Sequence, residues 1–346
     1  MKLLMIIVLC SAFLIVPASA LEIEAPQVPQ EGREWMPENS SSLAEGIHEL
    51  MKKAMGALRP DLKEAAKVAF AIIAVALLSA VLQTMSDPVK TTGRMTGTVA
   101  AAALLLLSTG SMVRLASDTV QSVSDYGKLL LPVMTAALAA QGGITSSAAL
   151  YAGTAGFNAV LSSLLSNLLV PGIWVYLALK LGGCASGEAL LKRLADLLKG
   201  LLSWILKTLL MVFTTYLSLT GVVSGTTDAA ALKAAKVTVS SFVPVVGGVL
   251  SDASEAVLVS AGLMKNAAGI YGILATLALF LHPFLQIGTH YLILKLTAAV
   301  CAGFGGEGIT DTVDAFSTAM GLLLAMTGAG CVMVLISTVC FLRGVG

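Results

Sequence analysis

Three histidines are the first residues to test for chemistry, because imidazole is the side chain that most readily binds metal or moves a proton near neutral pH. His282 precedes Pro283 inside an apolar stretch, and His290 follows eight residues later. Eight residues turn a helix by roughly 80° from alignment, so the two rings do not stack along one line. An ionisable group at membrane depth is a functional candidate by default, as a proton relay or a metal ligand. The alternative is a packed core histidine. His48 sits among Glu45, Glu49, Lys52 and Lys53, where it is expected to face water.

Other candidates fail on their own terms. Gly303–Gly308 reads Gly-Phe-Gly-Gly-Glu-Gly, but it lacks the Gly-Lys-Ser/Thr ending and preceding strand of a phosphate loop. Asp311 and Asp314, three apart on one helical face, read as caps of the last apolar segment. Cys184, Cys301, Cys331 and Cys340 are scattered and form no Cys-x-x-Cys pair, so they read as small apolar residues in or near membrane helices. No pair of carboxylates sits in mid-span to hold a coupling ion. The residues therefore predict no enzyme, no metal and no cofactor.

The elements around these residues are dictated by composition. The 346 residues are 57% apolar and 12% charged, with mean hydropathy +0.90. Soluble domains carry about 25% charge, so this chain lacks the polar residues to coat a water-facing surface. A net charge of +1 and 5% aromatics give no drive toward nucleic acid.

Residues 1–20 read as a cleavable signal peptide: Met-Lys, an apolar core from Leu3 to Val16, then Pro17-Ala18-Ser19-Ala20. Cleavage between Ala20 and Leu21 puts the mature N-terminus outside the cytoplasm. Residues 21–42, rich in Glu, Pro and Ser, predict a disordered tether. Residues 43–66 carry Leu43, Ile47, Leu50, Met51 and Leu58 on one helical face. This amphipathic helix lies on the membrane surface or docks onto a partner, and Pro60 breaks it or starts the next.

Residues 67–346 predict an all-α, polytopic membrane domain, since about 20 apolar residues cross a bilayer. Val68–Ser86, Met95–Val113, Thr208–Thr227, Asn266–Leu294 and Ala315–Leu342 are spans. The uncharged run Leu129–Leu179 is expected to hold a dipping hairpin near Pro132 and one crossing from about Tyr151 to Leu179. Val237–Ser251, split by Pro244 and Gly247-Gly248, predicts a second re-entrant hairpin. The basic stretch Lys180–Lys207 is placed in the cytoplasm by the positive-inside rule, giving six crossings with both ends outside. Pro132 and Pro244, and also Pro171 and Pro283, stand 112 residues apart. These offsets predict a parallel repeat, about 95–205 and 208–314, with the hairpins either lining a path or packing the bundle.

One local signature goes further. Ser224-Gly225-Thr226-Thr227-Asp228 is followed by Lys233 and Lys236, by Phe242-Val243-Pro244-Val245-Val246-Gly247, and by Ser251-Asp252-Ala253. This order resembles the stage III sporulation protein AE family of endospore-forming bacteria, over most of the chain from about Leu43. The resemblance implies a mother-cell membrane protein acting with the other ring-forming and membrane proteins of its operon, a cytoplasmic ATPase and a forespore membrane partner. Together these form a channel or secretion apparatus between the two cells. The family has no established catalytic residues to carry over. The expected pore, hairpin or assembly residues are Pro132, Gly225, Thr226, Asp228, Lys236, Pro244, Gly247, Gly248 and Asp252. The alternative is a free-standing secondary transporter for a small solute.

Overall fold

The computed structural model describes residues 26–37, 42–85, 87–242, 247–304 and 307–343, with side chains of 87–91, 221–265 and 307 left out. Every element among the described residues is helical: α1 (Gln30–Arg33), α2 (Leu43–Leu82), α3 (Asp87–Ala140), α4 (Ile144–Leu164), a π-helical turn (Leu165–Leu169), α5 (Val170–Ser186), α6 (Ala189–Phe242), α7 (Gly247–Ala302) and α8 (Glu307–Arg343). Six stretches are long and apolar enough to cross a membrane: Leu43–Leu82, Thr92–Ala140, Ile144–Ser186, Ala189–Thr220, Asn266–Ala302 and Gly308–Arg343. Four of the six predicted spans fall wholly within these stretches; Val68–Ser86 runs past Leu82, and Thr208–Thr227 past Thr220. The signal segment, with Ala20 and Leu21, lies outside the described residues.

Burial grades the helices by position. Of the most apolar window in α8, 56% is inside the bundle, against 17% in α6. So α8 is the central post, packed on α3, α4, α5, α6 and α7, and α6 is peripheral. Phe316, Met320, Leu323, Met326 and Phe341 of α8 are fully buried with Tyr126 and Met134 of α3 and Ile287 of α7. Threonines and serines turn their hydroxyls onto carbonyls four residues back, as Thr276 does to Gly272 and Thr327 to Leu323. That satisfies hydroxyls where no water competes.

The prolines behave differently from the sequence reading. Pro60, Pro132 and Pro283 lie inside continuous helices. The chain therefore does not dip at Pro132; it reverses at Gln141-Gly142-Gly143, where Gly142 takes φ +92°. A proline deletes one backbone hydrogen bond and bends a helix, whereas a full reversal needs the left-handed backbone that glycine supplies at little cost. At Pro171 the strain is relieved by widening: Val170 N–H donates to Leu165 O, closing the π turn just ahead of the proline ring. Of the second hairpin, α6 ends at Phe242 and α7 begins at Gly247; Pro244 lies outside the described residues.

The residue offset of 112 is not repeated in the helix starts. α3 and α6 each have 54 residues, but they begin 102 apart (189 minus 87). In the stretch 21–42, residues 26–37 are held against the bundle rather than left as a tether. Val28 is buried, and Trp35 and Met36 pack with Leu50, Leu274 and Ala278. Three apolar anchors in twelve residues outweigh the average polarity that the composition reported.

Candidate functional site

Two charged clusters lie within the apolar bundle. The first forms where α5 ends and α6 and α8 begin. Lys180 Nζ lies 2.8 Å from Asp196 Oδ1, Lys192 Nζ 2.5 Å from Asp311 Oδ2, and Lys295 Nζ 2.5 Å from Asp314 Oδ1. These pairs tie α5 to α6, α6 to α8 and α7 to α8. Asp311 and Asp314 thus cross-link helices rather than cap α8, because they stand in its second turn, past the reach of the free N–H groups. Between the pairs is a cleft of about 110 Å³, lined also by Tyr176, Cys184, Lys199 and Thr318. Gly187, with φ +80°, closes α5 here beside Arg94 of α3, so basic residues of several helices gather at one end.

The helix that walls this cleft packs through Ala195, Leu202 and Leu206, with a charged row along one edge of that face and leucines outside. Lys192, Asp196 and Lys199 recur at i, i+4 and i+7 and line the cleft. Leu190, Leu194, Leu197, Leu201 and Trp204 are exposed on the outside. The two rows are roughly 150° apart around the helix. With lipid outside, the leucines meet acyl chains and the charges meet each other and the water in the cleft.

The second cluster joins α2 to α7. Asp61 Oδ1 accepts from Gln286 Nε2 at 3.0 Å, and Asp61 Oδ2 lies 3.5 Å from His282 Nε2. The indole of Trp35 stacks on the His282 ring, with centroids 4.4 Å apart and planes 18° from parallel. His290 goes elsewhere: its Nδ1 is 3.0 Å from Gln286 O. His48 is exposed, as expected.

Asp61 escaped notice in the sequence, yet its signal is there. Leu50, Ala54, Ala65, Ala69, Ile72 and Ala76 are the buried residues of α2, and Asp61 falls on the same helical row. The row Lys192, Asp196 and Lys199 was legible by the same periodicity. Of the residues expected to act, Pro132 lies inside α3. Gly225, Thr226, Asp228 and Lys236 fall on the helical backbone of α6, and Gly247, Gly248 and Asp252 on that of α7. Their side chains, and all of Pro244, lie outside the described residues.

An all-helical bundle with six apolar helices of spanning length among its described residues, outward leucines and ion pairs gathered at a cleft is a polytopic membrane protein. The family model described as Stage III sporulation protein AE matches residues 34–344, and the chain belongs to that family. Stage III sporulation protein AE of Bacillus subtilis (strain 168) is similar to it, 26% identical over 217 residues. That match covers 62% of this chain and 54% of the relative, about half its length. No solved structure matches the chain.

Proposed function

We propose that this protein is an integral membrane subunit of a sporulation channel or secretion complex that links mother cell and forespore and supports forespore development. The observation that carries the reading is the family match across residues 34–344. A charged cleft set among lipid-facing leucines agrees with it, since a conducting or gating subunit needs ionic groups shielded from the bilayer. Partners in this reading are the ring-forming and membrane proteins of the same operon, its cytoplasmic ATPase and a forespore membrane protein. The protein sits in the mother-cell-derived membrane around the forespore, with its mature N-terminus outside the cytoplasm. It acts without catalysis and without nucleic acid.

The testing experiment is deletion of the gene in its native host, with engulfed forespores scored by microscopy. Small, collapsing forespores rescued by the wild-type gene are expected. Normal forespores and heat-resistant spores would reject the reading. That result would leave a free-standing secondary transporter, which the cleft also favours and which purified protein in liposomes would reveal by solute flux.

Two finer expectations follow from the same reading. The basic end, holding Arg94, Lys180, Lys192 and Lys295, faces the cytoplasm by the positive-inside rule. Leu190→Cys, at an exposed position of that end, is therefore expected to react with an impermeant maleimide only after permeabilisation. Reaction in intact cells would invert the topology. Asp228→Ala and Pro244→Leu, placed in the Gly225–Asp252 signature, are expected to block sporulation at near-normal protein abundance. Wild-type spore counts from both would remove that segment from the mechanism.

A further inference from the structure

Atom accounting around Asp61 leaves one acceptor unsatisfied. Oδ1 has its donor in Gln286, but Oδ2 is buried and accepts no hydrogen bond. Among the described residues the basic group that faces it is His282 Nε2, at 3.5 Å, beyond a normal N–H···O distance. The side chains are 14% and 20% exposed, so bulk water does not repair the deficit. A buried carboxylate oxygen without a donor is costly, and a proton on the imidazole makes both ring nitrogens donors and sets a positive charge opposite Oδ2. Each partner also stands beside a helix-interior proline, Pro60 and Pro283, so the local helix is already short of one backbone bond on either side.

The third member of the cluster says what the proton would control. Trp35 lies flat on the His282 ring, where an imidazolium is attracted by the face of the indole. Trp35 belongs to residues 26–37, whose other attachments are close but few. A Cβ at Gly32 would fall 2.8 Å from Leu279 Cδ2, so the backbone lies directly on α7. Lys53 Nζ donates to Met36 O at 3.1 Å.

We propose that Asp61 and His282 form a proton-binding site at the α2–α7 contact, and that its occupancy sets whether the N-terminal arm is seated. With the proton bound, the imidazolium bridges the Asp61 carboxylate and the Trp35 ring. Without it, the bridge is lost and the arm loosens. The surrounding charges do not compete. Arg33 is turned onto Val28 O and Gln27 Oε1, and Glu34 is exposed. On α2, Lys53 pairs with Glu49, and Arg59 and Glu64 are exposed. On α7, His290 is turned to Gln286 O; Asp311 and Asp314 of α8 hold lysines elsewhere, and Arg114, Asp118, Asp125 and Lys128 of α3 are exposed. Among the described residues no other ionisable side chain pairs with Asp61 or His282.

The sign follows from the proton. A bound proton seats the arm, so the seated arm is favoured at low pH and the released arm at high pH. The experiment uses the full chain in phospholipid nanodiscs. Nitroxides are placed at Gln30→Cys and Leu292→Cys, both exposed, with Cys340→Ala and the three buried cysteines kept. Electron–electron distance measurements are frozen from about pH 5.5 and about pH 8.5, either side of the imidazole range. A single narrow distance at the lower pH and a second, longer population at the higher pH are expected. His282→Gln abolishes the difference, and Asp61→Asn enlarges the longer-distance population at the lower pH, because the imidazolium then bridges to no carboxylate. Identical distributions at both pH values in the unsubstituted pair would overturn the proposal, as would a pH response that persists in His282→Gln. The wild-type comparison stands even where a variant fails to fold.

Discussion

Leu107→Asp is expected to prevent stable assembly in the membrane, although Leu107 is among the most exposed residues of the protein, at 83%. It lies on α3 in the middle of the uncharged run Met95–Val113. In water, a substitution at such a position shifts stability by no more than about 0.5 kcal/mol. In hydrocarbon, an aspartate at the centre of a span costs about 2.5–3.5 kcal/mol. The environment alone separates these outcomes, so yield of membrane-inserted, monodisperse protein reads it directly. Gln121→Lys, which keeps a donor for Asp125, is the control. It is also exposed on α3, but on the row Arg114, Asp118, Asp125 and Lys128, where Gln121 already bonds to Asp125 and to Ser162 of α4. That variant is expected to be silent. A Leu107→Asp protein as stable as wild type would place this face of α3 in water.

Gly153→Val carries the second large effect. Gly153 on α4 meets the ring of Tyr216 on α6, whose hydroxyl donates to Ala149 O at 3.0 Å. A Cβ at Gly153 would fall 1.9 Å from Tyr216 Cε1, and Phe157, itself against Phe213, flanks the ring. Turning the ring away would give up its bond to Ala149 O. Overpacking of this kind costs about 1–3 kcal/mol or more. The α4–α6 contact is expected to open, with a drop of many degrees in the melting temperature in detergent. Adding Tyr216→Ala should recover most of the loss by removing the obstacle. Gly156→Val, where nothing lies within 4 Å, should change little. Equal stability of Gly153→Val and Gly156→Val would refute the close packing of α4 on α6.

Both predictions turn on the difference between pattern and placement. Helical class and span number follow from local quantities: uninterrupted apolar length and the shortage of charge. Each predicted span overlaps a long helix for that reason. The ordered signature from Ser224 to Ala253 pointed to the family, which the match over residues 34–344 shows. Pro132 misled because a proline and a reversal share a local signal. Whether the chain turns or merely bends is settled by which neighbours hold the flanking helix, here α4, α7 and α8 against α3.

The residues that gather at the two charged clusters are separated by 119 positions for Lys192 and Asp311 and by 225 for Asp61 and Gln286. Periodicity alone places Asp61 on the inward face of α2 and Lys192, Asp196 and Lys199 on one face of α6. It leaves unstated what those faces meet. An isolated carboxylate on an apolar face reads as an error in the pattern until His282, Gln286 and Trp35 arrive around it. Length, apolarity and turn residues thus determined from the sequence alone that this is a six-span helical membrane protein. Only the tertiary structure decided which charges pair, which proline bends rather than turns, and where the N-terminal arm lies. Those outcomes depend on contacts between helices distant in the chain, and no local window contains both partners.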